Sequence, residues 1–131
     1  VRSISLKLSK SLEDYLETIL LITYEKGEVR ITDIAKRLNI KEASVVEALK
    51  KLKNLGLVEY EKGRRPILTE EGKRIAREIY EKHQVLLRFL QEVLGVSEEV
   101  AIRDACAMEH VLSKETLEKI AEFMRRREDV S

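Results

Sequence analysis

The sequence predicts a mostly α-helical chain, with three helices and one short β-hairpin in its first half and helices alone thereafter. Three observations carry this. Apolar residues recur at the three- and four-residue spacing of a helix along most of the 131 residues. Five Gly and one Pro are too few for a chain of many strands and tight turns. Only one pair of β-prone runs flanks a charged Gly turn, and it lies between residues 57 and 68.

Each element follows in order. Leu12, Leu16, Ile19 and Leu20 set a helix over 11–25, with Ser11 as the expected N-cap and Gly27 as the stop. Residues 28–31 (Glu-Val-Arg-Ile) are a short β-prone run. Thr32 is then expected to cap a short helix over 33–38, and Asn39-Ile40 to turn tightly. A helix over 42–54 places Val45, Ala48, Leu49 and Leu52 on one face, and Gly56 stops it. Leu57 to Tyr60 and Pro66 to Leu68 read as the two arms of the hairpin. Thr69 caps a long helix whose stripe is Ile75, Ile79, Leu86, Leu87, Leu90 and Leu94, ending at Gly95. Ser97 caps a helix to about Leu112, and Ser113 caps a last one to about Phe123. The following Arg125-Arg126-Arg127 tail is expected to be exposed, either frayed or helical.

Composition narrows the function. At 44% apolar and 37% charged residues, the chain can bury a core and is not wholly disordered. No run of 18 uncharged apolar residues exists, so no membrane span is expected, and residues 1–10 do not read as a signal peptide. The single Cys excludes an internal disulfide and suits a reducing compartment, so a cytoplasmic location is expected. The net charge of +1 conceals an asymmetry. Residues 30–65 carry ten Lys and Arg against five Asp and Glu, whereas residues 98–123 carry three against seven. A basic module suits phosphate contact. An acidic segment holding the Cys and one of the two His suits a cation. Two solvated surfaces would show the same charges.

Two short helices around a tight turn, then a hairpin, make a winged helix-turn-helix. Its second helix would enter a major groove about 12 Å wide. The exposed side of that helix carries Lys41, Glu42, Ser44, Glu47, Lys50 and Lys51. The lysines suit phosphates, Ser44 suits a base edge, and Glu47 suits a cytosine amino group. The wing tip offers Lys62, Arg64 and Arg65 to the minor groove or flanking phosphates. We therefore read residues 1–74 as a winged helix DNA-binding domain and 75–131 as a second, all-helical domain, whose apolar stripes suit dimerisation and whose acidic segment suits metal binding. The boundary falls inside one continuous helix.

The second half has its own constellation. Cys106, Glu109 and His110 stand at i, i+3 and i+4, on one side of a helix. They offer thiolate, carboxylate and imidazole, the common protein ligands of divalent transition metals. His83 sits on the buried stripe of the long helix, where a core histidine is the plainer reading. Asp14 and Glu17, at i and i+3 on the first helix, can complete a shell. Cys106 also suits a small buried hydrophobe, and Glu109 a solvated face. Catalysis is not expected. Cys106 and His110 lie one rigid turn apart with no Gly-rich loop nearby, and there is no His-Glu-x-x-His or phosphate loop.

The ordered set Leu12-Glu13-Asp14-Tyr15-Leu16-Glu17-Thr18-Ile19, Ile31-Thr32-Asp33-Ile34-Ala35, Leu68-Thr69-Glu70-Glu71-Gly72, Lys82-His83 and Asp104 to Ser113 covers much of residues 8–124. In these stretches the chain resembles the metal-dependent repressors of the diphtheria-toxin-repressor family, nearer the manganese-responsive branch. The resemblance implies metal at the junction of the two domains, fixing a pair of reading heads for DNA. It also implies that Asp14, Glu17, His83, Glu109 and His110 are ligands. Cys106 matches a position that is Cys in the iron branch and Glu in the manganese branch, so the ligand set is a hybrid. Leu87 and Ile102 fall where the iron branch has ancillary Glu and His ligands, so that site is expected to be missing. The sequence given stops at Ser131, and an SH3-like domain is accordingly not expected.

The function expected is a homodimeric repressor of manganese or iron uptake genes on a palindromic double-stranded operator. Its cofactor is Mn²⁺ or Fe²⁺, and Co²⁺ or Zn²⁺ would also bind in vitro because one thiolate favours softer ions. The alternative is a winged-helix regulator answering a small organic effector instead of a metal. A purely structural helical module is the third reading, and would lack salt-dependent DNA affinity.

Overall fold

The structure is a computed structural model that describes residues 8–130. Residues 1–7, which belong to the expected DNA-binding domain and to the stretch read as lacking a signal peptide, lie outside the described residues, as does Ser131. The order is α1 (Lys10–Lys26), α2 (Ile31–Leu38), α3 (Glu42–Asn54), β1 (Val58–Glu59), β2 (Ile67–Leu68), α4 (Glu70–Arg88), a π-helical turn (Phe89–Val93), α5 (Glu98–Val111) and α6 (Lys114–Val130). The chain forms two compact units, the first ending at Ile79 and the second beginning at Tyr80. The division falls inside α4.

In the first unit, Leu16, Ile19, Ile34, Val45, Leu49, Leu52 and Leu57 are fully buried. They come from α1, α2, α3 and the chain entering the wing, so the helix-turn-helix and the wing share one core. Asn39 ends α2 in the left-handed region at φ 56°, where its short polar side chain is tolerated. The wing is antiparallel, pairing Val58 with Leu68 and Glu59 with Ile67.

Local expectations need four corrections. The N-cap of α1 is Ser9, whose hydroxyl accepts the Leu12 N–H at 3.2 Å, so Ser11 is exposed within the first turn. Residues 28–30 form no strand, and α2 begins at Ile31, so Thr32 is inside the helix instead of capping it. The Asp33 carboxylate accepts the Arg30 N–H at 3.0 Å, and Val29 and Ile34 are buried at the positions of a hydrophobic staple. A β-prone run with no partner strand among the described residues yields to that helix start. The third correction concerns the end of the long helix. The Leu94 N–H reaches the Phe89 carbonyl at 3.3 Å, a five-residue step that inserts one residue into the turn. The helical phase shifts, and Leu94, expected on the buried stripe, is 59% exposed. Finally, α6 runs past Phe123 to Val130. Met124 is buried, and Arg127 and Glu128 pair with Glu92 and Arg88, which hold the added turns.

The second unit packs Leu86, Leu90, Ala101 and Ala105 at its centre, with Phe89, Met108, Leu117 and Ile120 against them. Phe89 and Phe123 meet edge to face, with ring centroids 6.2 Å apart. Ser97 caps α5 by accepting the Val100 N–H, and Ser113 caps α6 by accepting the Thr116 N–H.

Candidate metal centre and nucleic-acid interface

Lys41, the N-cap of α3, and Ser44, Glu47, Lys50 and Lys51 on that helix are all exposed. The apolar face of α3 is spent on the core, so its charged face is the one left for a ligand. Glu47 and Lys50 pair at 3.4 Å with both side chains well exposed. Such a pair contributes little and opens easily toward a phosphate. In the wing turn, Lys62 and Arg64 are exposed, and Arg64 stands 4.0 Å from Glu61. Arg65 differs from its neighbours because it donates to Glu28, which ties the wing to the loop between α1 and α2. Sequence reasoning missed one feature here. Ser9 and Ser11 line the same shallow groove as Ala43, Ser44, Glu47 and Lys51. They stand beside α3 because α1 packs on it, a relation no local signal carries.

On α1, Asp14 and Glu17 are half-buried. Burial raises the Glu17 pKa, and the nearby Asp14 and Glu13 charges raise it further. This helix end therefore holds crowded negative charge, a condition that a cation relieves.

The second unit brings His83, Glu109 and His110 together. Glu109 Oε2 lies 4.0 Å from His83 Nδ1, and Glu109 Oε1 lies 3.5 Å from His110 Nε2. All three side chains are largely buried, with Glu109 only 5% exposed. Glu109 and His110 share a face of α5, while His83 comes from α4. The donor types suit a divalent transition metal. Two atoms each about 2.1 Å from one ion would stand roughly 3.0–3.4 Å apart, so small side-chain rotations separate these donors from ligation. As they stand, no three or more His, Cys, Asp or Glu side chains among the described residues are arranged to hold a metal ion. Cys106 is half-buried on α5, one turn before His110. Leu87 packs into the apolar core and Ile102 is 47% exposed, so neither position supplies a donor.

The profile "Iron dependent repressor, N-terminal DNA binding domain" matches residues 7–65, and "Iron dependent repressor, metal binding and dimerisation domain" matches residues 69–129. An uncharacterized HTH-type transcriptional regulator of Methanocaldococcus jannaschii is 43% identical over 93% of this chain and 98% of its own length. The chain belongs to the iron-dependent repressor family. This is the family that the motif resemblance identifies. The transcriptional regulator MntR of Escherichia coli O6:H1 is also 43% identical, over 88% of this chain and 74% of its own. The solved manganese regulator SloR superposes with a TM-score of 0.74 at 27% identity, covering 92% of this chain. The chain spans 55% of the length of that structure. Within the iron-dependent repressor family the chain stands nearer the manganese-responsive members, and the family is one of metal-dependent DNA-binding regulators and not of enzymes. No helix of the described residues is long and apolar enough to cross a membrane.

Proposed function

We propose that the protein is a cytoplasmic homodimeric repressor that binds palindromic operators of manganese or iron uptake genes when loaded with Mn²⁺ or Fe²⁺. The observation that carries this is the buried His83–Glu109–His110 group, lying within the residues matched as metal-binding. Asp14, Glu17 and Cys106 complete the proposed ligand set. When bound, the ion supplies positive charge and several directed bonds to these donors. The chain's own residues do the rest. Asp14 and Glu17 lose the repulsion that α1 otherwise bears, and His83 and His110 give neutral imidazole nitrogens, held close to Glu109. Exposed Leu94, Ile102, Val111 and Phe123 give the second unit apolar surface for a second copy.

For DNA, Lys41, Lys50, Lys51, Lys62, Arg64 and Arg65 hold phosphates, while Ser44 and Glu47 read bases. Lys50→Ala and Lys51→Ala should each weaken binding to every duplex alike and reduce the salt slope by about one. Glu47→Ala should relax sequence preference and, by freeing Lys50, raise non-specific affinity. Anisotropy titrations at several salt concentrations check this. A uniform loss from all three changes would refute these roles.

Cys106 sets ion preference in this proposal. Cys106→Glu should weaken Zn²⁺ and Co²⁺ binding by at least tenfold more than Mn²⁺, because only the soft ligand is exchanged. Isothermal titration with each ion decides it, and an unchanged ranking removes Cys106 from the ligand set. The function itself is tested by operator binding of the chelated protein, titrated in turn with Mn²⁺, Fe²⁺, Co²⁺ and Zn²⁺. Equal affinity with and without metal would leave the organic-effector reading.

A further inference from the structure

The first unit contains a cleft of about 430 Å³ whose lining includes none of the proposed metal ligands and, of the proposed DNA contacts, Arg65 alone. It is walled by the last turns of α1, the α1–α2 loop, strand β2 and the start of α4. Its volume falls within the roughly 300–1,000 Å³ of small-molecule sites. Leu20, Val29 and Leu68 line it and are buried. Tyr24 and Ile67, 62% and 58% exposed, also line it, so two large apolar side chains face solvent at one opening.

The charges are as specific as the apolar walls. Arg65, Lys73 and Arg77 line the cleft against a single carboxylate, Glu28. Glu28 is already engaged by Arg65 and stands 3.6 Å from Arg30. Lys73 pairs with Glu70 at 3.3 Å, with Glu70 89% exposed, a pair that water screens strongly. The cleft thus offers a cationic rim over an apolar floor.

We propose that this cleft binds a small organic anion, an apolar body carrying one carboxylate, and that its occupancy weakens the wing's hold on DNA. The apolar body would lie on Leu20, Val29 and Ile67 and stack on Tyr24, while Arg77 and Lys73 hold the carboxylate. The same carboxylate competes with Glu28 for Arg65. Arg65 belongs to the wing and Glu28 to the α1–α2 loop, so the competition changes the wing's tether and takes one cation from the phosphates. This site is separate from the metal ligands and acts whether or not metal is bound.

The test uses the full chain, isotope-labelled, titrated with 2-naphthoate and with neutral 2-naphthamide at fixed ionic strength. Naphthoate should shift amide signals of residues 23–29, 65–68 and 73–77, with a dissociation constant near 1 mM, on the order expected for a ligand of that size. Naphthamide should bind at least about fivefold more weakly. Arg77→Ala, at an exposed position, should weaken naphthoate but not naphthamide, and Glu28→Gln should tighten naphthoate by freeing Arg65. A random-sequence 30-base-pair duplex should bind about threefold more weakly at saturating naphthoate, and Arg77→Ala should blunt that loss. Equal binding of acid and amide, shifts elsewhere in the chain, or an unaltered Arg77→Ala titration would overturn the site. Unchanged duplex affinity at saturation would overturn the coupling to the wing.

Discussion

Glu109→Ala is expected to abolish the metal response of DNA binding while leaving weak, salt-dependent binding to any duplex. Glu109 is the most buried member of its group, and its two oxygens face two different imidazoles. Removing it leaves His83 and His110 without the anionic donor that draws a dication into the group. Changes in residues that merely orient a ligand cost about 10–100-fold in metal affinity. Loss of the carboxylate itself should cost at least about 100-fold. Coupling between metal and DNA is a shared free energy, so DNA loses the whole gain that metal provides, commonly about 5–150-fold. Reciprocity requires operator DNA to tighten metal binding in the wild type by that same factor. Glu109→Gln keeps the shape, removes the charge, and should fail nearly as badly. Isothermal titration of Mn²⁺ with and without duplex reads both effects. Thermal unfolding of the metal-free variants separates ligand loss from misfolding. A Glu109→Ala protein that still gains DNA affinity with Mn²⁺ would remove this residue from the metal centre.

Gly72→Ala is expected to destabilise the first unit by about 2–3 kcal/mol, lowering its unfolding midpoint by roughly 10–20 °C. The start of α4 passes so close to the chain before the wing that a Cβ at Gly72 would sit 1.9 Å from the Leu57 carbonyl oxygen. That oxygen also accepts the Thr69 N–H at 3.1 Å, and the Thr69 hydroxyl bonds the Gly56 carbonyl at 2.8 Å and the Gly72 N–H at 3.0 Å. The obstruction is backbone, so no rotamer change relieves it. The gain of about 1 kcal/mol in helix propensity on replacing Gly offsets only part of the cost. Lys73→Ala, one residue on, loses only a screened pair with the exposed Glu70 and should change stability by less than about 0.5 kcal/mol. Calorimetry of both variants checks the contrast, and equal midpoints would mean that α4 shifts freely.

The sequence by itself determined the features that rest on local chemistry. The bounds of α3, the tight turn at Asn39, the hairpin and the Ser97 and Ser113 caps follow from period, cap and turn residues, and the structure has each of them. That Cys106, Glu109 and His110 stand at i, i+3 and i+4 of one helix was equally legible, because the helical period runs unbroken through them. Tertiary structure decided the rest. Whether residues 28–30 become strand depends on a partner strand, and the described residues hold none beside them. The π-helical turn and the last turns of α6 answer to packing and to the Arg88, Glu92, Arg127 and Glu128 ion pairs, which join residues up to 40 positions apart. That His83 meets Glu109 and is not simply a core histidine is decided by α4 packing on α5, across 26 residues of chain. Gly72 is the plainest case. Nothing in a Glu-Glu-Gly-Lys stretch announces a carbonyl above it, because local sequence encodes conformation while a close approach belongs to two segments at once.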